Sequence, residues 1–488
     1  MHFKRFLPVL LSGLALAIFL FSCAGPITVG PGGAEGEDLS NLLESGLDSL
    51  ASGNIDDAKS TFEDVLSEDP ENATANAGMS VILLYELFRD YSSEISQLTG
   101  VFRSVPVRFG PFREITRSFS FMKYFFMSMK QFPLPPEPPV QPPPFLPEEN
   151  PLETWNQLYE TVSATLSELW PRLKELELCL ERAITGNASL TLYPNNFDWD
   201  GDDVLEPEEP LELSDGTNTY SVVDLLYGSV SPEGTLVIVQ SGGDAWFDFE
   251  TVSGQNPENI IFDENDYLIL DKGEFSALLF VVKAALSISD LLLTWDLTLP
   301  SDLPNPSGYD DMETWLQAVL DYIDNNNDNM VDNTSGDGGE WNNLNPFLVF
   351  RENGSAYLED LVDSIVMGIQ SVLWFNEDIE EDDPGGEHDL TSLHYFEEPP
   401  IDEETVNTLQ EIVDTHRVEL PEGEPFTYKQ TETETFVATI VAIDFGVLQD
   451  NPSGFENLKV FFPTLDLSNE YYEFPDPTFG GLLELEEE

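Results

Sequence analysis

The imbalance of charge constrains this chain before any motif does. Ninety-two aspartates and glutamates stand against 19 lysines and arginines, a formal net charge of -73 at pH 7. Carboxylates at that density repel one another, so a compact state calls for cations that screen or bind them. The same field excludes a general role in binding nucleic acid or anionic lipid headgroups, which carry the wrong sign. It favours cations as partners. Apolar residues still make up 41% of the chain, enough to build cores, and 488 residues exceed what one core usually organises. Two or three domains are therefore expected.

The N-terminus reads differently from the rest. MHFKRFLPVLLSGLALAIFLFSC starts with Lys4 and Arg5, continues as an apolar run from Phe6 to Phe21 and ends on Ser22 and Cys23. That order is a secretory signal peptide, and the run is shorter than the roughly 20 residues a spanning helix needs. The tetrad Leu20, Phe21, Ser22, Cys23 resembles the lipobox of bacterial lipoproteins. The resemblance implies lipidation of Cys23 and removal of residues 1–22, a membrane-anchored protein of the bacterial cell envelope. An ordinary secreted protein that retains a cysteine is the alternative. Ala24, rather than Asp, follows the cysteine, and by resemblance to Gram-negative sorting this implies the outer membrane or cell surface. Residues 23–38, rich in Gly and Pro, read as a flexible tether. Cys179 is then left without an intrachain partner, and the helical recurrence of Leu173, Leu176, Leu180 and Ala183 around it marks a buried structural thiol.

The expected fold class is α+β, helical first and mixed later. Residues 39–190 read as a helical domain. Within it, Gly46, Ala58, Phe62 and Pro70 resemble the landmarks of one tetratricopeptide repeat. In that resemblance a small residue lets paired helices close, an aromatic fills between them and proline stops the second helix. Ser45 and Ser49 stand where apolar residues are usual, and one repeat is fewer than the about three a free solenoid needs. The repeat is read as fused into a larger helical domain that meets a protein partner.

Residues 101–132 run against the overall charge, with Arg103, Arg108, Arg113, Arg117, Lys123 and Lys130 interleaved with aromatics. A core helix whose cations pair with the protein's own carboxylates is preferred here to an interfacial helix. The proline-rich stretch 133–150 reads as a polyproline-type spacer outside any packed core. A helical run from Leu152 to Ile184 contains Pro171, a kink or boundary. Residues 191–400 read as a mixed domain, with β-branched stretches such as TLVIVQ between turn residues and apolar helical runs in FSALLFVVKAALSISDLLL, METWLQAVLDYI and LEDLVDSIVMGIQSVLWF. Residues 401–488 read as β-rich, ending in the acidic tail LELEEE.

Two loops carry chemistry. DWDGDDVLEPEE resembles an EF-hand or dockerin-type calcium loop, with Asp198, Asp200, Asp202, the Val204 carbonyl, Glu206 and Glu209 as ligands and Leu205 as the apolar anchor. Calcium takes six to eight oxygens, and alternate carboxylates on a tight turn with a terminal bidentate glutamate provide them. Asp203 at the sixth position tolerates the left-handed conformation a glycine usually supplies. Pro210 interrupts the helix that would follow, so this is a calcium loop without a complete EF-hand. The second loop, DNNNDNMVDNTS, places Asp324, Asn326 and Asp328 as early ligands, Asn329 at the turn and Val331 as anchor. Ser335 cannot supply a bidentate carboxylate, and Asp337 or Glu340 just beyond would close an extended loop. DENDYLILDKGE, residues 263–274, puts Tyr267 at a ligand position and reads as a solvated turn before a helix.

Catalytic signatures are scarce. His388, His394 and His416 lack the spacing by which one helix face grips zinc, and no phosphate loop or nucleophile elbow occurs. The sequence reads as no enzyme but a calcium-stabilised binding or scaffold lipoprotein. The alternatives are an envelope hydrolase with structural calcium and an acidic surface or adhesion component of a salt-loving organism.

Overall fold

A computed structural model describes residues 37–104, 151–192, 212–214, 219–221, 237–241, 244–248, 268–305, 312–326, 328–333, 336–381, 401–431, 434–468 and 471–487. Cys23, the loop from Asp198 to Glu209 and the 133–150 spacer lie outside them, as do His388, His394 and all but the first four residues of the basic-aromatic stretch. Helices combine with antiparallel sheets, so the protein is mixed α+β.

The first three helices are α1 (Glu37–Ala51), α2 (Ile55–Glu68) and α3 (Ala73–Ser104). Phe62 of α2 is fully buried between two glycines. A Cβ added at Gly46 of α1 would stand 2.8 Å from its ring, and one at Gly78 of α3 only 2.5 Å from it. Both helices close on the aromatic because neither presents a side chain there. Pro70 falls just beyond α2, and Ser45, at one of the positions where an apolar residue is usual, is exposed.

Helix α4 (Pro151–Thr185) runs straight through Pro171, which removes one ladder hydrogen bond without ending the helix. Its Leu176, Leu180 and Ala183 bury against α3 and against α5 (Lys272–Thr294). Strand β1 (Leu190–Leu192) pairs antiparallel with β6 (Leu268–Leu270), and β6 leads directly into α5. One core therefore runs from α1 to α5 and crosses residue 190. Short hairpins form from β2 (Glu212–Ser214) with β3 (Thr219–Ser221), and from β4 (Val237–Ser241) with β5 (Asp244–Asp248).

Among the described residues α5 alone is long and apolar enough to cross a membrane, but it packs inside the protein and carries fully buried Lys283 and Asp290. It starts with a capping box. The Asp271 side chain accepts from Gly273 N at 3.1 Å while Glu274 Oε2 accepts from Asp271 N at 3.0 Å. These two carboxylates of the 263–274 stretch thus serve a helix start.

After α6 (Met312–Ile323) and β7 (Met330–Val331), helix α7 (Gly354–Glu381) returns along α5. Helix α8 (Glu403–Thr415) was not anticipated in the β-rich tail; no residue of it is buried, and Asp402 caps its first turn. Strands β8 (Arg417–Gln430) and β9 (Thr435–Asp444) form a long hairpin. With β10 (Thr464–Asp466), β11 (Tyr471–Glu473) and β12 (Leu483–Glu487) they build an antiparallel sheet in the order β12-β9-β8-β11-β10-β7. Phe426, Ile440, Phe474 and Leu483 line one core on it, while Phe445, Phe455 and Phe461 pack with Leu358 and Val362 of α7 in another.

Candidate functional site

The loop that joins α6 to β7 lies at the edge of the six-stranded sheet, because β7 is its terminal strand. Val331 is fully buried and pairs with Leu465 of β10, so the anchor position of the loop is fixed in the sheet. Asn333, also fully buried, locks the far side. Its Nδ2 donates to the carbonyls of Lys459, Val460 and Phe462 at 3.0, 3.0 and 2.7 Å. Ile323, Val331, Trp341 and Leu344 form the small core beneath.

Ahead of those anchors the three expected side chains fold inward on their own backbone. Asp324, buried, accepts from Asp328 N at 3.3 Å and from Asn329 N at 2.9 Å. Asn326 Oδ1 accepts from Asp328 N at 2.9 Å, and Asp328 Oδ1 accepts from Met330 N at 2.9 Å. Each carboxylate or amide oxygen has two lone pairs, so these bonds leave acceptor capacity on every one of the three side chains. The turn that draws them together is made at Asn329, whose φ is +64°. This is the left-handed conformation the sixth position of such a loop needs, and asparagine is among the few side chains that adopt it readily.

Between the two residues offered as closers, the fold brings Glu340 back. The Glu340 N–H donates to Asp332 O at 2.9 Å, and the Glu340 carboxylate accepts from Asp332 N at 3.2 Å. Gly338 and Gly339 make the return, both at positive φ, and a Cβ on Gly339 would collide with the Asp332 carbonyl oxygen at 1.8 Å. Glu340 Oε2 is thereby occupied. Oε1 is buried and, among the described residues, makes no hydrogen bond of good geometry, although the Asn326 backbone N–H lies close enough to favour the charged carboxylate. Desolvation raises the Glu340 pKa above its ordinary value; the charges of Asp324 and Asp328 raise it further, against the lowering effect of the Asp332 and Asn326 backbone. A buried acceptor so poorly paired beside two carboxylates is costly, and a cation among them removes that cost. The donor set of Asp324, Asn326, Asp328 and Glu340 is all oxygen, the chemistry of calcium.

Among the described residues no group of three or more His, Cys, Asp or Glu side chains is gathered as a metal site. Calcium loops also use amide and backbone carbonyl oxygens, which such a group does not include. His416 is the described histidine: it ends α8 at φ +54° and stacks on Phe445 with ring centroids 6.1 Å apart. Cys179 is buried, and desolvation pushes its thiol up to about 12. Its chemistry is that of an inert apolar residue.

Sequence reasoning left three features unassigned: the return of Glu340 over Asp332, the fully buried Lys459 and the buried Asp290. Isolated acids and lysines carry no sequence signal for burial, although the Gly338-Gly339 pair does mark a sharp turn. Compared with protein-family models, with curated proteins and with solved structures, the chain matches none.

Proposed function

We propose that the protein is a calcium-stabilised binding or scaffold lipoprotein of the bacterial envelope, anchored through Cys23, with the ion ordering the region around its loops. In this reading a tetratricopeptide-like helical region comes first and contacts a protein partner, a mixed calcium-loop region follows and a β-rich region ends the chain. It is not an enzyme. The single observation that carries the calcium part is Glu340 Oε1, buried beside Asp324 and Asp328 and without a hydrogen bond of good geometry among the described residues, at the end of a loop clamped to the sheet. Asp324, Asn326, Asp328 and Glu340 would hold the ion; Asp198, Asp200, Asp202, Val204, Glu206 and Glu209 are proposed for a second. Bound calcium supplies charge compensation, not bond chemistry. Every other group here is a protein one: Val331 and Asn333 hold the loop to β10 and the 459–462 segment, and Gly339 closes it.

The test is a thermal melt with chelator, calcium or magnesium on the full chain, on Glu340→Gln, on Asp200→Ala and on the double variant. Calcium at one hundred times its dissociation constant stabilises a one-site protein by about 2.7 kcal/mol, and magnesium, which demands a smaller octahedral shell, substitutes poorly. Glu340→Gln is expected to lose part of the calcium gain and the double variant nearly all of it. Equal stabilisation of all four proteins means general charge screening and refutes both sites.

A further inference from the structure

Helices α4, α5 and α7 meet along a seam that holds more charge than a core usually tolerates. At one level the charges balance. Lys283 of α5, 2% exposed at its side chain, is bracketed by Glu177 and Glu181 of α4. Two turns further along α5 the situation changes. Asp290 is fully buried, and among the described residues its side-chain hydrogen-bond partners are both neutral. Its Oδ1 accepts from Trp170 Nε1 of α4 at 2.6 Å, and its Oδ2 accepts from Ser364 Oγ of α7 at 3.4 Å. The charged groups around it come from both neighbouring helices. Lys174 of α4 is engaged with Glu177 at 2.7 Å and Asp360 at 3.4 Å. Asp360 of α7 faces Asp290 with like charge, and Asp363 lies behind Asp360. On α5 itself the nearest cation, Lys283, already serves its two glutamates.

The position of this carboxyl in the fold matters. Trp170 immediately precedes Pro171, where the α4 ladder lacks a hydrogen bond. C-terminal to it, α4 belongs to the large helical core through Leu173, Leu176 and Leu180. N-terminal to it, Val162 and Leu166 form a small separate cluster with Leu293 and Tyr357. Beyond that, Trp155 and Tyr159 donate to the Leu297 and Trp295 carbonyls at 2.9 and 2.8 Å. The stretch from Val162 to Trp170 thus lies between a clamp and a weakened point, tied to the seam by a small apolar cluster, by Leu169 at the margin of the large core and by the Trp170 bond to Asp290.

We infer that Asp290 is a proton-controlled latch: neutral, it holds the Val162–Trp170 stretch of α4 against α5 and α7, and ionised it loosens that stretch about Pro171. Among the described residues an anion here has two neutral donors, the like-charged Asp360 and one cation in reach, Lys174, which is already shared with Glu177 and Asp360, so ionisation favours any state in which water reaches the carboxylate. Burial, opposed by the Trp170 bond, pushes the Asp290 pKa up to about 7. The sign follows from linkage. The closed state holds a proton that the open state has released, so opening becomes easier as pH rises from about 4 towards 7 and levels off above that, where both states are ionised. With an ordinary carboxyl pKa of about 4 in the open state, the opening constant rises on the order of a hundredfold between pH 5 and pH 8.

The experiment is amide hydrogen exchange on the full chain at pH 5 to 8, corrected for intrinsic exchange chemistry. Protection of residues 162–170 should fall about a hundredfold across that range, while α2 and the β8–β9 hairpin keep theirs. Asp290→Asn should abolish the pH dependence. Asp360→Asn, a partly exposed change that removes the like charge, should move the midpoint to lower pH and serves if Asp290→Asn fails to fold. A pH-independent wild type, an unmoved midpoint in Asp360→Asn, or a uniform loss of protection over the chain would each overturn the latch.

Discussion

Replacing Gly46 by alanine gives the sharpest test of how the N-terminal helices are packed, because propensity and packing predict opposite signs. Gly46 lies inside α1, where exchanging glycine for alanine stabilises an exposed helix by about 1 kcal/mol. The new methyl would stand 2.8 Å from the Phe62 ring, closer than real carbon contacts allow, and the ring is itself held by Gly78 from the other side. Phe62 is fully buried and has nowhere to move. Overpacking of this kind costs about 1–3 kcal/mol, so Gly46→Ala should be destabilising by roughly 1 kcal/mol after the propensity gain is subtracted. In a Phe62→Val background the three ring atoms nearest the added methyl are gone. The same Gly46→Ala change should there turn stabilising by about 1 kcal/mol, a coupling of about 2 kcal/mol between the two sites. The measurement is the opening free energy of α2 amides by hydrogen exchange in the four proteins of the cycle, with urea unfolding followed by circular dichroism as a check. Stabilisation by Gly46→Ala with Phe62 intact, or additive effects, would show that α1 and α2 do not close on this ring.

Three further outcomes are expected. Lys459 is fully buried, and desolvation lowers its pKa to about 8, against a raising contribution from Asp296. The unfolded chain therefore binds the extra proton above pH 8, and wild-type stability relative to Lys459→Met should rise by about 1 kcal/mol per pH unit between pH 8 and 10. Taking the difference between the two proteins cancels Cys179, which acts in the opposite direction; a flat difference in paired urea titrations refutes the assignment. Gly339→Ala, with a Cβ 1.8 Å from the Asp332 carbonyl and φ at +46°, should cost more than about 2 kcal/mol and abolish the response of this loop to calcium, read by melts with and without the ion. Cys179 should resist a thiol reagent at pH 8 in the native protein and react fully in denaturant, because burial holds its thiol at about 12; rapid native labelling would contradict its place in the core.

Periodicity made much of the local structure legible from the residues alone. The runs at METWLQAVLDYI and FSALLFVVKAALSISDLLL are helices α6 and α5 because each has the length and apolar content of one, and the 424–446 stretch alternates as a hairpin should. Gly46 and Phe62 announced a close helix pair, since a missing side chain and a large ring imply each other across an interface. The turn at Asn329 and the anchor at Val331 followed from spacing, as the left-handed position and the buried strand position are fixed by their distance from Asp324. Helix α8 buries none of its residues fully, but Val406, Leu409, Ile412 and Val413 recur at helical spacing on its half-buried face, a helical signal within the region read as β-rich. Other features depended on the tertiary structure. Gly78 became the second wall of the Phe62 site only when α3 folded back over α2. With 92 acids in the chain, sequence could not distinguish Glu340 and Asp290 from the solvated majority. Folding made that distinction: the Gly338-Gly339 turn brings Glu340 back over Asp332, and the distant helices α4 and α7 enclose Asp290. A carboxyl becomes chemically distinct through the water it loses and the charges brought beside it, and both are set by contacts that only the folded chain makes.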